Sequence, residues 1–187
     1  MPTRDGLSME DLITQVTRLS DPGISPWEMH RFLSGARLAP AALDPFIRFA
    51  DGRYARHLVH KSPEVELLVL CWSRGSRAPI HGHEGELCWA RVERGRLRFA
   101  SYREVSRDPL RLTRVGEPVD GGPGYLDGPA DIHAVDNLEA FGGDAVSLHV
   151  YSRPYDECDI YDLERGLITR VRLQYDSIPS HRAPVQS

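Results

Sequence analysis

Lysine is almost missing from this chain: Lys61 is the only one among 23 Lys and Arg residues, a bias we attribute to coding composition and give no functional weight. An excess of positive charge is missing too. With 27 acidic residues the formal charge is −4, so a phosphate backbone or an anionic lipid surface would meet no basic field, and neither nucleic acid nor membrane is an expected partner. No run of about 18 apolar residues exists to span a bilayer. The opening segment Met1–Gly6 lacks the charged-then-apolar layout of a secretory signal, which makes a cytoplasmic location the expectation. Cysteine is scarce: Cys71, Cys88 and Cys158 are too few and too scattered for a disulfide scaffold, so each is weighed as a core thiol or a site residue. Internal repeats and low-complexity segments are absent. What remains is 187 residues, 41% hydrophobic and 27% charged, the profile of one compact domain with a sizeable core.

Helical signals come first. Ser8 stands three residues before Asp11 in a capping-box pattern, and Leu12, Ile13, Val16 and Leu19 then recur on one helical face. Ser25-Pro26-Trp27-Glu28 repeats the start signal, with Ser as N-cap, Pro at the first position and Glu at the third. A third short helix is predicted over about Pro40–Ala50. After Asp51-Gly52 the pattern changes to short apolar or alternating runs separated by turn residues. Val65–Trp72 reads as a strand buried on both faces; Leu87–Val92, Leu97–Tyr102, Leu110–Val115, Val146–Tyr151 and Ile168–Leu173 are further candidates. Many short strands at even spacing predict a sandwich or closed barrel behind a helical cap. The expected division is a single domain over 1–175, with a cap over 1–50, a barrel over 51–175, and a frayed tail over 176–187.

The sharpest local feature is Pro79-Ile80-His81-Gly82-His83. On a strand, residues i and i+2 face the same way, so two imidazoles can converge on one ion. By itself the pair reads equally well as two solvent-facing histidines. Ser147, His149 and Tyr151 sit at i, i+2 and i+4 of an apolar strand, a spacing that lets Ser147 fix the His149 ring and His149 hold the Tyr151 phenol. The alternative is three outward-facing surface residues. Cys71 alternates outward from Leu70 and Trp72 and should only pack.

The frame around the histidines resembles the first motif of the cupin superfamily: Gly75, five residues, His81-x-His83, four residues, Cys88, six residues, Gly95. Cys88 stands where that motif normally carries Glu. His133, with Asn137 after it and Gly121-Gly122-Pro123-Gly124 before it, resembles the second motif more loosely. The resemblance implies a mainly β fold, a small jelly-roll barrel with two or three N-terminal helices, and His81, His83 and His133 as ligands. With the carboxylate replaced, three neutral ligands leave a metal its full dipositive charge, which suits an anionic thiolate. Glu84 and Glu86 lie near enough in sequence to ligate, although a solvated turn is the simpler reading.

Within the cupins, Tyr54-Ala55-Arg56-His57-Leu58-Val59, Leu70-Cys71-Trp72, His81-Gly82-His83, Cys88, His133 and Ser147-Leu148-His149-Val150-Tyr151-Ser152 resemble the cysteine dioxygenase family in order and spacing, over roughly Asp51–Gly166. That resemblance implies a ferrous, non-haem thiol dioxygenase in which Arg56 clamps the substrate carboxylate. Tyr54, Leu70, Trp72 and Cys158 would wall the pocket, and Ser147, His149 and Tyr151 with Cys88 would serve the chemistry. It also implies a possible Cys88–Tyr151 thioether. After Tyr151-Ser152 this chain departs from the family pattern, with Arg153 preceding Pro154. Arg153 pointing inward would add a second cation for a more acidic thiol; pointing outward it would be a loop charge. The expectation is oxidation of L-cysteine to cysteine sulfinate by a monomer using Fe(2+) and dioxygen. Alternatives are 3-mercaptopropionate or mercaptosuccinate as substrate, a cupin that binds a metal or small acid without oxidising it, and a zinc or manganese isomerase. Relatives acting on 3-mercaptopropionate tend to carry Gln near Arg56 and to lack the cross-linking cysteine.

Overall fold

The computed structural model describes residues 6–21 and 25–179. Two helices open it, α1 (Met9–Leu19) and α2 (Pro26–Gly35). Both begin as the capping patterns dictate. Asp11 N–H donates to Ser8 Oγ at 3.1 Å while the Asp11 carboxylate accepts from Ser8 N–H at 3.2 Å. At α2, Trp27 N–H donates to Ser25 Oγ and Ser25 N–H to the Glu28 carboxylate. The third helix is not formed as expected. Two short 3-10 turns, Pro40–Ala42 and Asp44–Phe46, stand in its place, because Pro45 lacks an N–H and disfavours the helical conformation at the residue before it.

The described strands are β1 (Tyr54–Lys61), β2 (Glu66–Trp72), β3 (Arg77–His81), β4 (Cys88–Arg94), β5 (Leu97–Arg107), β6 (Leu110–Gly121), β7 (Leu126–Ala130), β8 (Ile132–Asp136), β9 (Ala145–Tyr151), β10 (Glu157–Asp162) and β11 (Leu167–Arg172). They form two antiparallel sheets, β1-β2-β9-β4-β7 and β11-β10-β3-β8-β5-β6. This is a jelly-roll of the cupin type, two facing sheets rather than a hydrogen-bonded closed barrel. At Gly95 the turn between β4 and β5 has φ +74°, and a Cβ there would strike the Asp144 carbonyl, so glycine is required on both counts.

Period two divides the core. Leu67, Val69 and Cys71 of β2 face the layer that carries Leu12, Val16, Met29 and Leu33 of the two helices. Leu68, Leu70 and Trp72 face the space between the sheets, against Cys88, Ala90 and Tyr151. Every residue of β2 is buried, as the sequence predicts. Cys71 packs in the helical layer, its thiol 3.6 Å from the Phe46 carbonyl. The expected frayed tail does not begin at Asp176. Asp176 N–H donates to the Arg56 carbonyl at 2.8 Å and Leu58 N–H to that of Ser177 at 2.9 Å. Residues 180–187 of that tail lie outside the described residues, as do 1–5 and 22–24 of the cap.

Candidate metal centre and substrate cavity

His81 ends β3, His83 follows it in the turn, and His133 sits in β8. Only the first of the His-x-His pair is therefore on a strand. Convergence survives because His81 is the register partner of His133 across β3 and β8. One nitrogen from each ring lies within 4.8 Å of the others, the only such cluster of potential metal ligands among the described residues. The outer nitrogens are all engaged: His81 Nδ1 with the Pro79 carbonyl at 2.8 Å, His83 Nδ1 with that of Ala130 at 3.1 Å, and His133 Nδ1 with the Asp127 carboxylate at 3.4 Å. Each acceptor fixes the proton on Nδ1 and turns the Nε2 lone pair inward. The Nε2 atoms of His83 and His133 are buried and have no hydrogen-bond partner among the described residues. Orphaned imidazole acceptors aimed at a common point fit a divalent metal. Burial, reinforced by the neighbouring His133, lowers the His81 pKa to about 3 and that of His83 well below its ordinary value, so both rings are neutral.

Among the described residues no carboxylate joins them. Glu84 pairs with Arg170, and Glu86 accepts from Ser152 Oγ at 2.6 Å. Arg153 points outward, its side chain 72% exposed and 3.8 Å from Glu86, so it adds no cation to the interior. Asn137 is a staple rather than a site residue: its amide donates to the carbonyls of Trp72, Ser73 and Gly143.

Ser147, His149 and Tyr151 all face inward from β9. Trp72 Nε1–H donates to Ser147 Oγ at 2.8 Å, and Ser147 Oγ lies 2.9 Å from His149 Nε2. The Ser147 hydroxyl can accept from Trp72 and still donate to Nε2, and in that arrangement the His149 proton sits on Nδ1. That nitrogen is 3.4 Å from the Tyr151 hydroxyl. Burial holds His149 neutral and pushes the Tyr151 phenol and the Cys88 thiol well up, so the triplet is uncharged. Cys88 is the register partner of Tyr151 across β4 and β9.

Beside this centre lies a cavity of about 720 Å³ bordered by Tyr54, Arg56, His81, Cys158 and Tyr175. Arg56 is only 8% exposed, and its Nε and Nη2 have no partner among the described residues. A buried guanidinium with two unused donors is costly unless an anion completes it. Tyr54 stacks on Trp72 with ring centroids 4.8 Å apart. Leu70 and Trp72, expected in the pocket wall, face the space between the sheets together with Cys88 and Tyr151.

A family model for cysteine dioxygenase type I matches residues 28–164. The chain belongs to that family. Cysteine dioxygenase type 1 from Homo sapiens is 26% identical over 160 residues, covering 84% of this chain and 80% of that protein. The Danio rerio protein of the same name is 26% identical over 184 residues, covering 96% and 91%. Among solved structures, a cupin superfamily protein from Desulfitobacterium hafniense is 15% identical with a TM-score of 0.46, covering 63% of this chain and 92% of that one.

Sequence reasoning missed three residues that the structure brings to these candidate sites. Asp127 lies six residues before His133 with no spacing rule to mark it. Tyr155 places its ring 5.3 Å from that of Tyr151 and 6.0 Å from that of His83. Tyr175 reaches the cavity from beyond the matched residues. Tyr155 follows Tyr151 by four positions in a Pro-containing loop, and only the loop's path brings it inward.

Proposed function

We propose that the protein is an iron(II) thiol dioxygenase whose substrate is L-cysteine and whose product is cysteine sulfinic acid, R–SH + O2 → R–SO2H. The observation that carries the substrate assignment is the buried, half-unpartnered Arg56 guanidinium on the same cavity as His81. Family membership and a three-imidazole cluster without a carboxylate support the reaction class.

His81, His83 and His133 would hold the iron, which when bound supplies the one-electron chemistry that lets dioxygen react with a thiolate. Arg56 binds the substrate carboxylate through parallel charge-assisted bonds and so orients the thiol toward the histidines. Tyr54, Cys158, Leu70 and Trp72 keep bulk water from the reacting end. In the tautomer with the proton on His149 Nδ1, which lies 3.4 Å from the Tyr151 oxygen, the phenolic proton is free to point into the site and be donated there. Ser147 and Trp72 keep the His149 ring in that orientation. A Cys88–Tyr151 thioether, which their pairing across β4 and β9 supports, would hold the phenol rigidly. The reading includes a cytoplasmic monomer; no described helix is long and apolar enough to cross a membrane.

Dioxygen uptake by the ferrous-loaded protein tests the proposal, with L-cysteine, 3-mercaptopropionate, mercaptosuccinate and cysteamine as competing substrates. L-Cysteine is expected to give the highest kcat/KM, falling at least about a hundredfold in Arg56→Ala, as the loss of a buried, bidentate ion pair implies. Turnover of cysteamine alone would refute the Arg56 assignment, and no uptake with any thiol would refute the reaction.

A further inference from the structure

We propose that Tyr175 is a positioning residue for Arg56, held by the buried carboxylate of Glu66 and by Lys61, and that this support makes the site prefer thiols that carry a carboxylate. The proposal rests on Arg56 being the carboxylate clamp.

An arginine clamp needs its long side chain fixed before the anion arrives, or binding must order it at an entropic cost. Within β1 the Tyr54 hydroxyl is in hydrogen-bonding reach of the guanidinium, but Arg56 Nε and Nη2 have no partner among the described residues and nothing in the strand braces its face. The aromatic ring of Tyr175 does: its centroid lies 6.0 Å from the Arg56 guanidinium carbon, within cation–π range. Tyr175 is in turn immobilised from its far end. Its hydroxyl donates to Glu66 in a short hydrogen bond and accepts from Lys61 Nζ at 3.0 Å, while Lys61 Nζ also lies 5.4 Å from the ring centroid. The one lysine of the chain and Arg56 thus both contact this tyrosine.

Glu66 is otherwise hard to explain. It is the lone charged residue of β2 and is 0% exposed, with Lys61 as its register partner on one side and Tyr151 on the other. An interior carboxylate in a strand of apolar residues is disfavoured unless it is used. One of its oxygens serves Tyr175, with Lys61 Nζ 3.7 Å away; the other has no hydrogen-bond partner among the described residues. Merely anchoring the C-terminal segment to β1 would not require this arrangement. Arg56 N–H donates to the Asp176 carboxylate at 2.8 Å, Asp176 N–H donates back to the Arg56 carbonyl at 2.8 Å, and Ser177 continues the pairing to Leu58. The hydroxyl of Tyr175 adds fixation of the ring under the guanidinium. Tyr175 also lies beyond residues 28–164, so its contribution comes from outside the part of the chain that the family description matches.

Equilibrium binding of L-cysteine and of cysteamine, measured by calorimetry without dioxygen on the ferrous-loaded full chain, provides the test. Tyr175→Phe keeps the ring and loses the tether. It is expected to weaken L-cysteine about three- to tenfold, the worth of one intramolecular hydrogen bond, and to leave cysteamine within about twofold. In dioxygen uptake the same variant should raise KM for L-cysteine at nearly constant kcat. Glu66→Gln retains an acceptor for the hydroxyl and should fall between Tyr175→Phe and the parent; Tyr175→Leu, lacking the ring as well, should weaken L-cysteine further. Equal weakening of both thiols, or of neither, in Tyr175→Phe overturns the proposal, and should Tyr175→Leu fail to fold, the Phe and Gln variants still decide. Arg56→Ala separates the two levels. If it weakens L-cysteine while Tyr175→Phe does not, only the positioning role is wrong; if it too has no effect, the clamp itself is wrong.

Discussion

Removing the Asp127 carboxylate should loosen the metal without touching a ligand. Asp127 Oδ2 lies 3.4 Å from Nδ1 of His133, with the aspartate side chain 11% exposed and the histidine 1%. Partners of this kind raise the basicity and fix the orientation of a ligating imidazole, and losing them costs about 10–100-fold in metal affinity. A separation of 3.4 Å exceeds the roughly 2.7–2.9 Å of a strong charge-assisted bond. The lower end therefore applies: about tenfold, or about 1.4 kcal/mol, for Asp127→Ala. Asp127→Asn keeps an acceptor for Nδ1–H and loses only the charge, so it should lie between Ala and the parent. Competition for ferrous iron against a chromophoric chelator near neutral pH measures this directly. Glu84→Gln, whose carboxylate is turned outward to Arg170, is the control and should change nothing. An Asp127→Ala protein with an unaltered apo melting temperature and the parent's iron affinity would refute the argument that His133 is a ligand held by Asp127.

Three further outcomes follow from other contacts. Arg91 is buried and Glu93 half-buried, with 3.1 Å between Arg91 Nε and the carboxylate, and Arg91 Nη1–H also donates to the Leu33 carbonyl near the end of α2; Arg91→Ala should cost about 3 kcal/mol in urea unfolding, and removing both charges as Arg91→Leu/Glu93→Leu should cost less. Asp176 has its pKa lowered from 3.8 chiefly by its hydrogen bond from Arg53, so its stabilisation is present above about pH 4 and lost as pH falls through the depressed value; the stability gap between the parent and Asp176→Asn should be steady near neutrality and close in acid, and a gap that widens in acid would contradict this. If the Cys88–Tyr151 thioether forms, the reduced, denatured protein should run as two bands on a gel, and both Cys88→Ser and Tyr151→Phe should abolish the doublet.

Local periodicity carried much of this architecture. Alternation along β2 and β9 showed in advance which residues share a face, because a strand's period of two depends only on neighbours in the chain. Cap residues marked both helix starts for the same reason. The stretch over Pro40–Ala50 was misread because its apolar content suits a helix while Pro45 forbids one. What stayed illegible is pairing at long range. Nothing near Asp127 announces His133, and the joining of β1 to Asp176 and Ser177 spans about 120 residues. The choice between an inward and an outward Arg153 likewise depended on where Glu86 lies in space.

Since β2 gives one side to the helical cap and the other to the chamber that holds Tyr151, it works as a party wall. A repacking of Val69 or Leu67 against the cap shifts the backbone on which Leu70 and Trp72 hang, and through Trp72 the hydroxyl that orients His149. Variation in the two opening helices should therefore reach turnover and not only heat resistance, so sequence drift at a surface far from the histidines carries a catalytic penalty.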